Sequence, residues 1–131
     1  MAMREILFRG KHKSSGKWCE GNLHIDKQGI AIITPDDTPL GCYGQVDPDT
    51  VGQYTGLTDK DGKKIFEGDI VKLRLLAAKM EWKGVCEYRN GAFGLAWQYA
   101  GERYCTFAGT CNAEYEVLGS IHDNPELMEG E

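Results

Sequence analysis

Apolar and polar residues alternate with a period of two along much of this chain. From Trp18 to Ile25, Trp18, Glu20, Asn22 and His24 share one face, and Cys19, Gly21, Leu23 and Ile25 the other. That alternation predicts a half-buried strand. The polar set Asp26-Lys27-Gln28-Gly29 follows as a turn, and Ile30–Thr34 (IAIIT) reads as a buried, β-branched strand. Two such runs about a four-residue connection predict a hairpin. Ahead of them, Glu5–Arg9 (EILFR) predicts a first strand, and Lys11–Lys17 a polar connection. Pro35–Asp49 carries three Pro and four Asp and breaks the alternation, so it reads as a loop.

Beyond that loop, Thr50–Thr55 resumes a strand, Asp59–Gly62 is a turn, and Lys63–Phe66 is a short strand. In Asp69–Leu76, Ile70, Lys72 and Arg74 oppose Val71, Leu73 and Leu75. Ala77–Glu81 is too short for a stable helix and reads as a connection. Trp82–Arg89 and Ala92–Tyr99 alternate on either side of Asn90-Gly91, the strongest hairpin signal in the chain, because both turn residues tolerate positive φ. Arg103–Phe107 and Ala113–His122 add strand patterns, the last bent at Gly119. Asn124-Pro125-Glu126 signals a short terminal helical turn.

The expected fold is therefore mainly β. An N-terminal β-hairpin subdomain spans 1–58 with its loop at 35–49, and a small SH3-like barrel spans 59–131, ending in the helical turn. Composition agrees: 131 residues suit one compact domain or two small ones, and 17 Gly against four Pro suit short strands and tight turns.

Charge narrows the function. The chain carries a net −5, whereas duplex binding draws on clustered Lys and Arg. The single basic run, Arg9–Lys17, offers Arg9, Lys11, Lys13 and Lys17; it reads first as a solvated hairpin loop and second as a nucleic-acid contact. No apolar run reaches the roughly 20 residues of a membrane span, and MAMREILFRG lacks a signal-peptide core, so a bacterial cytoplasm is expected. The five Cys form an odd set without closely spaced pairs; free thiols and no metal are expected.

The stretch Gln53–Val71 (QYTGLTDKDGKKIFEGDIV) resembles the YopX family of phage and prophage proteins. The resemblance begins at Arg4–Arg9 (REILFR) and runs through QYTGL, DKDGK and IFEGDIV. It closes on Glu116–Leu127 (EVLGSIHDNPEL). Lys11–Asp49 and Ala77–Cys111 match no family pattern. The resemblance implies a phage or prophage origin and a mostly β fold, and it implies no catalytic residue and no cofactor.

Other chemistries find little support. Asp59-Lys60-Asp61-Gly62 has the start of a calcium loop without its later ligands, and a β-turn explains it. Glu67 and Asp69 flank Gly68 as turn-capping carboxylates. No Cys is singled out with His12, His24 or His122 as a dyad. The aromatic residues concentrate in the second half, and Trp97 and Tyr99, after the hairpin, are the expected exposed binding surface. The expected function is a non-enzymatic interaction module that binds a protein partner or its own copies. The alternative is a nucleic-acid-binding accessory protein.

Overall fold

The computed structural model describes residues 5–35, 44–98, 101–107 and 113–128. Its chain is mainly β and divides into two compact units, before and after the Gly56–Leu57 bond. Each unit has its own antiparallel sheet and its own core.

In the first unit the strands β1 (Phe8–Lys11), β2 (Trp18–Ile25), β3 (Ala31–Thr34) and β4 (Gly44–Val46) pair in sequence, each antiparallel to the last. β5 (Gly52–Thr58) begins beside β1, with Phe8 opposite Gln53. The Asp26 turn follows the sequence expectation: its carboxylate accepts the Gln28 and Ile30 N–H groups at 2.9 and 3.0 Å. Ala31, Ile33 and Val46 form a fully buried centre, packed by Phe8, Cys19, Leu23 and Val51.

Two features of this unit differ from the sequence expectation. β1 lies later than Glu5–Arg9, because pairing with β2 runs from Phe8–Gly21 to Lys11–Trp18. Lys11, expected in the connection, is thus a strand residue, as Arg9 was expected to be. The expected strand at Thr50 instead begins with a 3-10 turn, Pro48–Thr50. Pro48 fits its first turn, Asp47 caps it by accepting Asp49 N–H, and the buried Thr50 hydroxyl accepts Lys11 N–H at 2.8 Å. The sheet also curls: Lys13 N–H donates to Gln45 O and Asp47 N–H to Lys11 O, both at 2.9 Å, and these bonds bring β4 to the end of β1.

The second unit holds β6 (Lys64–Phe66), β7 (Asp69–Leu75), β8 (Met80–Arg89), β9 (Ala92–Gln98), β10 (Glu102–Thr106) and β11 (Ala113–Ser120). The last five make one sheet in the order β10-β9-β8-β7-β11. Asn90 (φ 52°) and Gly91 (φ 84°) form the expected hairpin turn, closing the Arg89–Ala92 pair. Ile65, Val71, Leu73, Cys86 and Leu95 make the core, with Trp82, Trp97, Phe107 and Tyr115 packed around it. Full burial of each large aliphatic contributes about 1.5–3 kcal/mol. The expected bend in β11 is a register shift between Val117 and Gly119. The terminal turn is a 3-10 helix, Pro125–Met128.

The sheet of this unit is open. Its edge strands, β10 and β11, are not paired with each other among the described residues, so the ladders do not close the expected barrel. The free edge of β11 is taken by the Asp59 turn instead: Lys60 N–H donates to Tyr115 O, and Val117 N–H to the Asp59 carboxylate, each at 2.9 Å. Covering an edge in this way blocks pairing with other chains.

The string IFEGDIV shows the same economy. Gly68 has φ 90°, a conformation costly for residues with a Cβ. Its N–H donates to Cys86 O, and its carbonyl accepts Ile121 N–H. Asp69, buried, accepts Phe66 N–H at 2.8 Å. The predicted capping role of Asp69 is the one observed.

Candidate interaction groove

The Asn90-Gly91 turn fixes the β8–β9 register, and the ladder runs from Arg89–Ala92 to Val85–Ala96. Among the described residues it stops there. On its other edge β8 pairs with β7 from Met80 to Val85, and β9 pairs with β10 from Gly94 to Gln98. At Gly84 the two strands stay close, so that an added Cβ would lie 3.0 Å from both Ala96 O and Leu95 Cβ. A groove of about 460 Å³ is lined by residues of both strands.

Its apolar lining is Trp82, Val85, Ala96, Trp97 and Met128. Trp82 and Trp97 are half-buried, with ring centroids 6.1 Å apart and planes inclined at 38°. Both also pack on the core, which holds the indoles in place. Met128 comes from the terminal 3-10 turn, and Lys83 Nζ donates to Leu127 O at 2.6 Å in that same turn.

The rim is charged. Glu81, Glu87 and Glu102 face Lys83 and Arg89, with Gln98 between. Arg89 binds both Glu87, at 2.8 Å, and Glu102. Those bonds raise its already high pKa. The same guanidinium lies 4.9 Å over the Tyr104 ring, and Tyr104 donates to Ala92 O at 2.8 Å. Burial pushes the Tyr104 phenol above its usual range, against the backbone contact and the Arg89 charge. Glu81, with Arg74, and Lys83, Glu87, Arg89 and Glu102 each have a structural tie, and the shifts favour the ordinary charge states of Arg89 and Tyr104.

Of the residues expected from sequence, Trp97 lines this groove but is half-buried against Trp82 and the core. Tyr99 lies outside the described residues. Tyr88 is the exposed aromatic, at 55 % of its surface, edge-on to Phe93. Sequence reasoning missed Trp82, Glu87, Arg89 and Glu102. Part of the signal was present: a two-residue turn at 90–91 sets Glu87 opposite Gly94 and Val85 opposite Ala96, which puts Val85, Glu87 and Arg89 on one face with Ala96 and Gln98, and Trp82 and Trp97 together on the other.

The basic hairpin lies in the other unit. Arg9 Cζ stands 4.4 Å and Lys11 Nζ 5.5 Å from the centroid of the Trp18 ring. Lys13 and Lys17 are exposed in the turn between β1 and β2. His12 Nδ1 accepts Ser15 N–H there at 3.4 Å.

Cys86 is buried, Cys19 and Cys105 are half-buried, and all three are free thiols; Cys42 and Cys111 lie outside the described residues. Among the described residues, no three His, Cys, Asp or Glu side chains stand together to hold a metal, and no helix is long and apolar enough to cross a membrane.

No match is found among curated proteins. Among solved structures, protein EF1440 from Enterococcus faecalis is similar, with a TM-score of 0.56 at 23% identity over 97% of this chain and 100% of that one. At that identity the likeness concerns the fold. The model of the YopX protein family matches residues 7–129, nearly the whole chain and including Gln53–Val71 and Glu116–Leu127. This chain belongs to the YopX family.

Proposed function

We propose that this protein is a non-enzymatic interaction module of phage or prophage origin, and that it holds a segment of a protein partner in the groove between β8 and β9. The observation that supports this is a groove of about 460 Å³ along β8 and β9, where Val85, Ala96 and Met128 are ringed by charged side chains. Concave sites with apolar floors and a few polar groups on the rim are the usual form of binding sites. The groove's charged groups are ion-paired rather than poised for proton transfer, which favours recognition over catalysis.

The rival reading is nucleic-acid binding at the β1–β2 hairpin. It draws on Arg9, Lys11, Lys13 and Lys17 around Trp18. Against it, Arg9 covers the indole face that a base would stack on, and the net charge of −5 opposes phosphate.

Gln98 is exposed and lines the groove, so Gln98→Trp fills it with little effect on the core. Affinity capture from a prophage-carrying bacterial host is expected to retain a partner with wild type and to lose it with Gln98→Trp. Sedimentation of the purified chain separates a foreign partner from self-association. A partner retained equally by both proteins would show that the groove is not the binding site.

A further inference from the structure

We infer that Asn90-Gly91 is a self-modifying site: Asn90 deamidates through a cyclic imide formed with Gly91, and the isoaspartyl product loosens the β8–β9 hairpin. This chemistry stands apart from whatever occupies the groove.

The attack runs from the Gly91 backbone nitrogen to the Asn90 side-chain carbonyl. It needs a nitrogen that solvent can reach and deprotonate, and an amide that is not held elsewhere. Both residues are exposed. Among the described residues, neither the Asn90 carboxamide nor the Gly91 N–H has a hydrogen-bond partner. Apart from its chain neighbours, no atom lies within 4 Å of where a Cβ on Gly91 would stand. Glycine also brings no side chain to crowd the nitrogen.

The other candidates lack one of these conditions. Asn22 lies inside β2, before the branched Leu23. Asn124 precedes Pro125, whose nitrogen has no hydrogen to lose, and its Oδ1 accepts Ser120 N–H at 3.3 Å. At Asp61-Gly62 the Gly62 N–H donates to Asp59 O at 3.0 Å, and the Asp61 carboxylate pairs with Lys60. A carboxylate is also a poorer electrophile than an amide.

In the first step a solvent base takes the Gly91 amide proton. The nitrogen bonds to Asn90 Cγ, the Cγ–Nδ2 bond breaks, and Nδ2 leaves as ammonia with a proton from water. Water then opens the ring at either carbonyl. Cleaving the new N–Cγ bond leaves aspartate on an unchanged backbone. Cleaving the original N–C bond leaves isoaspartate, with the main chain running through Cβ and Cγ. Nothing is oxidised or reduced, and each product adds one negative charge to a chain of net −5.

The two products act differently on the fold. Asp-Gly suits a type I′ turn as Asn-Gly does. Isoaspartate instead adds a backbone carbon to a two-residue turn, at φ 52° and 84°, that closes the Arg89–Ala92 pair. That pair ends the ladder, beside the Tyr88 and Phe93 rings that meet edge-on at 5.0 Å. Ladder ends open most readily. Ring closure needs such an opening, because the imide holds the Asn90 backbone in a conformation that a type I′ turn does not use. The folded hairpin therefore slows the reaction, and the isoaspartyl product keeps the hairpin from closing again.

The test ages the full chain in warm, mildly alkaline buffer beside an end-capped peptide of residues 88–93. Peptide mapping with electron-transfer fragmentation reads a gain of about 1 Da at residue 90 and tells isoaspartate from aspartate. Asn90 is expected to convert more slowly than the peptide, while Asn22 and Asn124 stay intact. A fraction melting at least about 4 °C lower is expected to grow with the isoaspartate. Asn90→Gly keeps a turn that tolerates positive φ and lacks the amide, so its melt is expected to be unchanged by ageing. Asn90→Asp is expected to melt with fresh wild type. An intact Asn90 once the peptide has fully converted, or conversion at Asn22 or Asn124 instead, would overturn the site. An isoaspartyl fraction that melts with fresh wild type, or an equal loss in aged Asn90→Gly, would overturn the effect on the hairpin.

Discussion

Asp59 ties its own turn to the edge of β11. Its Oδ1 accepts Asp61 and Lys63 N–H, and its Oδ2 accepts Val117 N–H, all at 2.9 Å. Burial alone would raise its pKa, but the backbone donors of Val117, Lys63 and Asp61, with the Lys63 charge, bring it below the ordinary value. In Asp59→Asn, one amide orientation turns NH₂ toward Val117 N–H, and the other turns it toward the two turn N–H groups. Either way at least one donor faces a donor. Losing a hydrogen bond to a charged group costs about 1.5–3 kcal/mol. For a unit of this size that lowers Tm by roughly 6–24 °C, at about 4–8 °C per kcal/mol. Urea and thermal melts in a Trp18→Phe background make the remaining indoles, Trp82 and Trp97, report on this unit. The pH dependence has a definite sign. A depressed folded-state pKa gives stability that is fully present above the unfolded value near about 4 and is lost as pH falls through the folded value. Wild type should lose part of its stability in that acid window, and Asp59→Asn should lose less. A variant that melts within about 2 °C of wild type at neutral pH, or that keeps the full acid loss, would refute the account of this turn.

Gly68→Val should destabilise by about 1–3 kcal/mol, since Gly68 sits at φ 90° between two backbone hydrogen bonds, and chemical denaturation measures it. Ile65→Ala, at a fully buried position, should cost about 2–5 kcal/mol in the same assay. Glu81→Gln/Glu102→Gln changes exposed rim groups and should melt within about 3 °C of wild type; a larger drop would mean the rim holds the fold. Duplex DNA should bind weakly or undetectably at physiological salt in a mobility-shift assay, and a tight, salt-sensitive complex would move the β1–β2 hairpin ahead of the groove.

Most strands were legible because the period-two pattern and the turn residues agree. The Asn90-Gly91 hairpin, the Asp26 turn, the Asp59–Gly62 turn and the Asp69 cap all lie where their local chemistry puts them. The shift of β1 was not legible, since only pairing with β2 decides that Gly10 and Lys11 are strand residues and 5–7 are not. The open edge of the second sheet was hidden for a similar reason. Alternation says that β11 is a strand, but not that a turn 58 residues earlier covers its outer edge. The groove was not legible because its lining joins residues of β8, β9 and β10 with Met128 of the terminal turn, and only the folded sheet brings these together.

The residues that carry the family resemblance and the residues that line the groove are different sets. Lys60 and Gly68 bond backbone to backbone with Tyr115 and Ile121 of the far end of the chain, and the Asp59 and Asp69 carboxylates accept the Val117 and Phe66 N–H groups. All but Tyr115 fall within the stretches that resemble the family. Trp82, Glu87, Trp97 and Glu102 fall within Ala77–Cys111, which carries no such pattern. A fold held by turns and edge contacts outside β8 and β9 can keep its architecture while the side chains along those two strands change, because the ladder bonds are made by backbone and do not depend on side-chain identity. The family motif therefore marks how this chain folds, and the unmatched stretch between its two halves is where recognition has room to be specific.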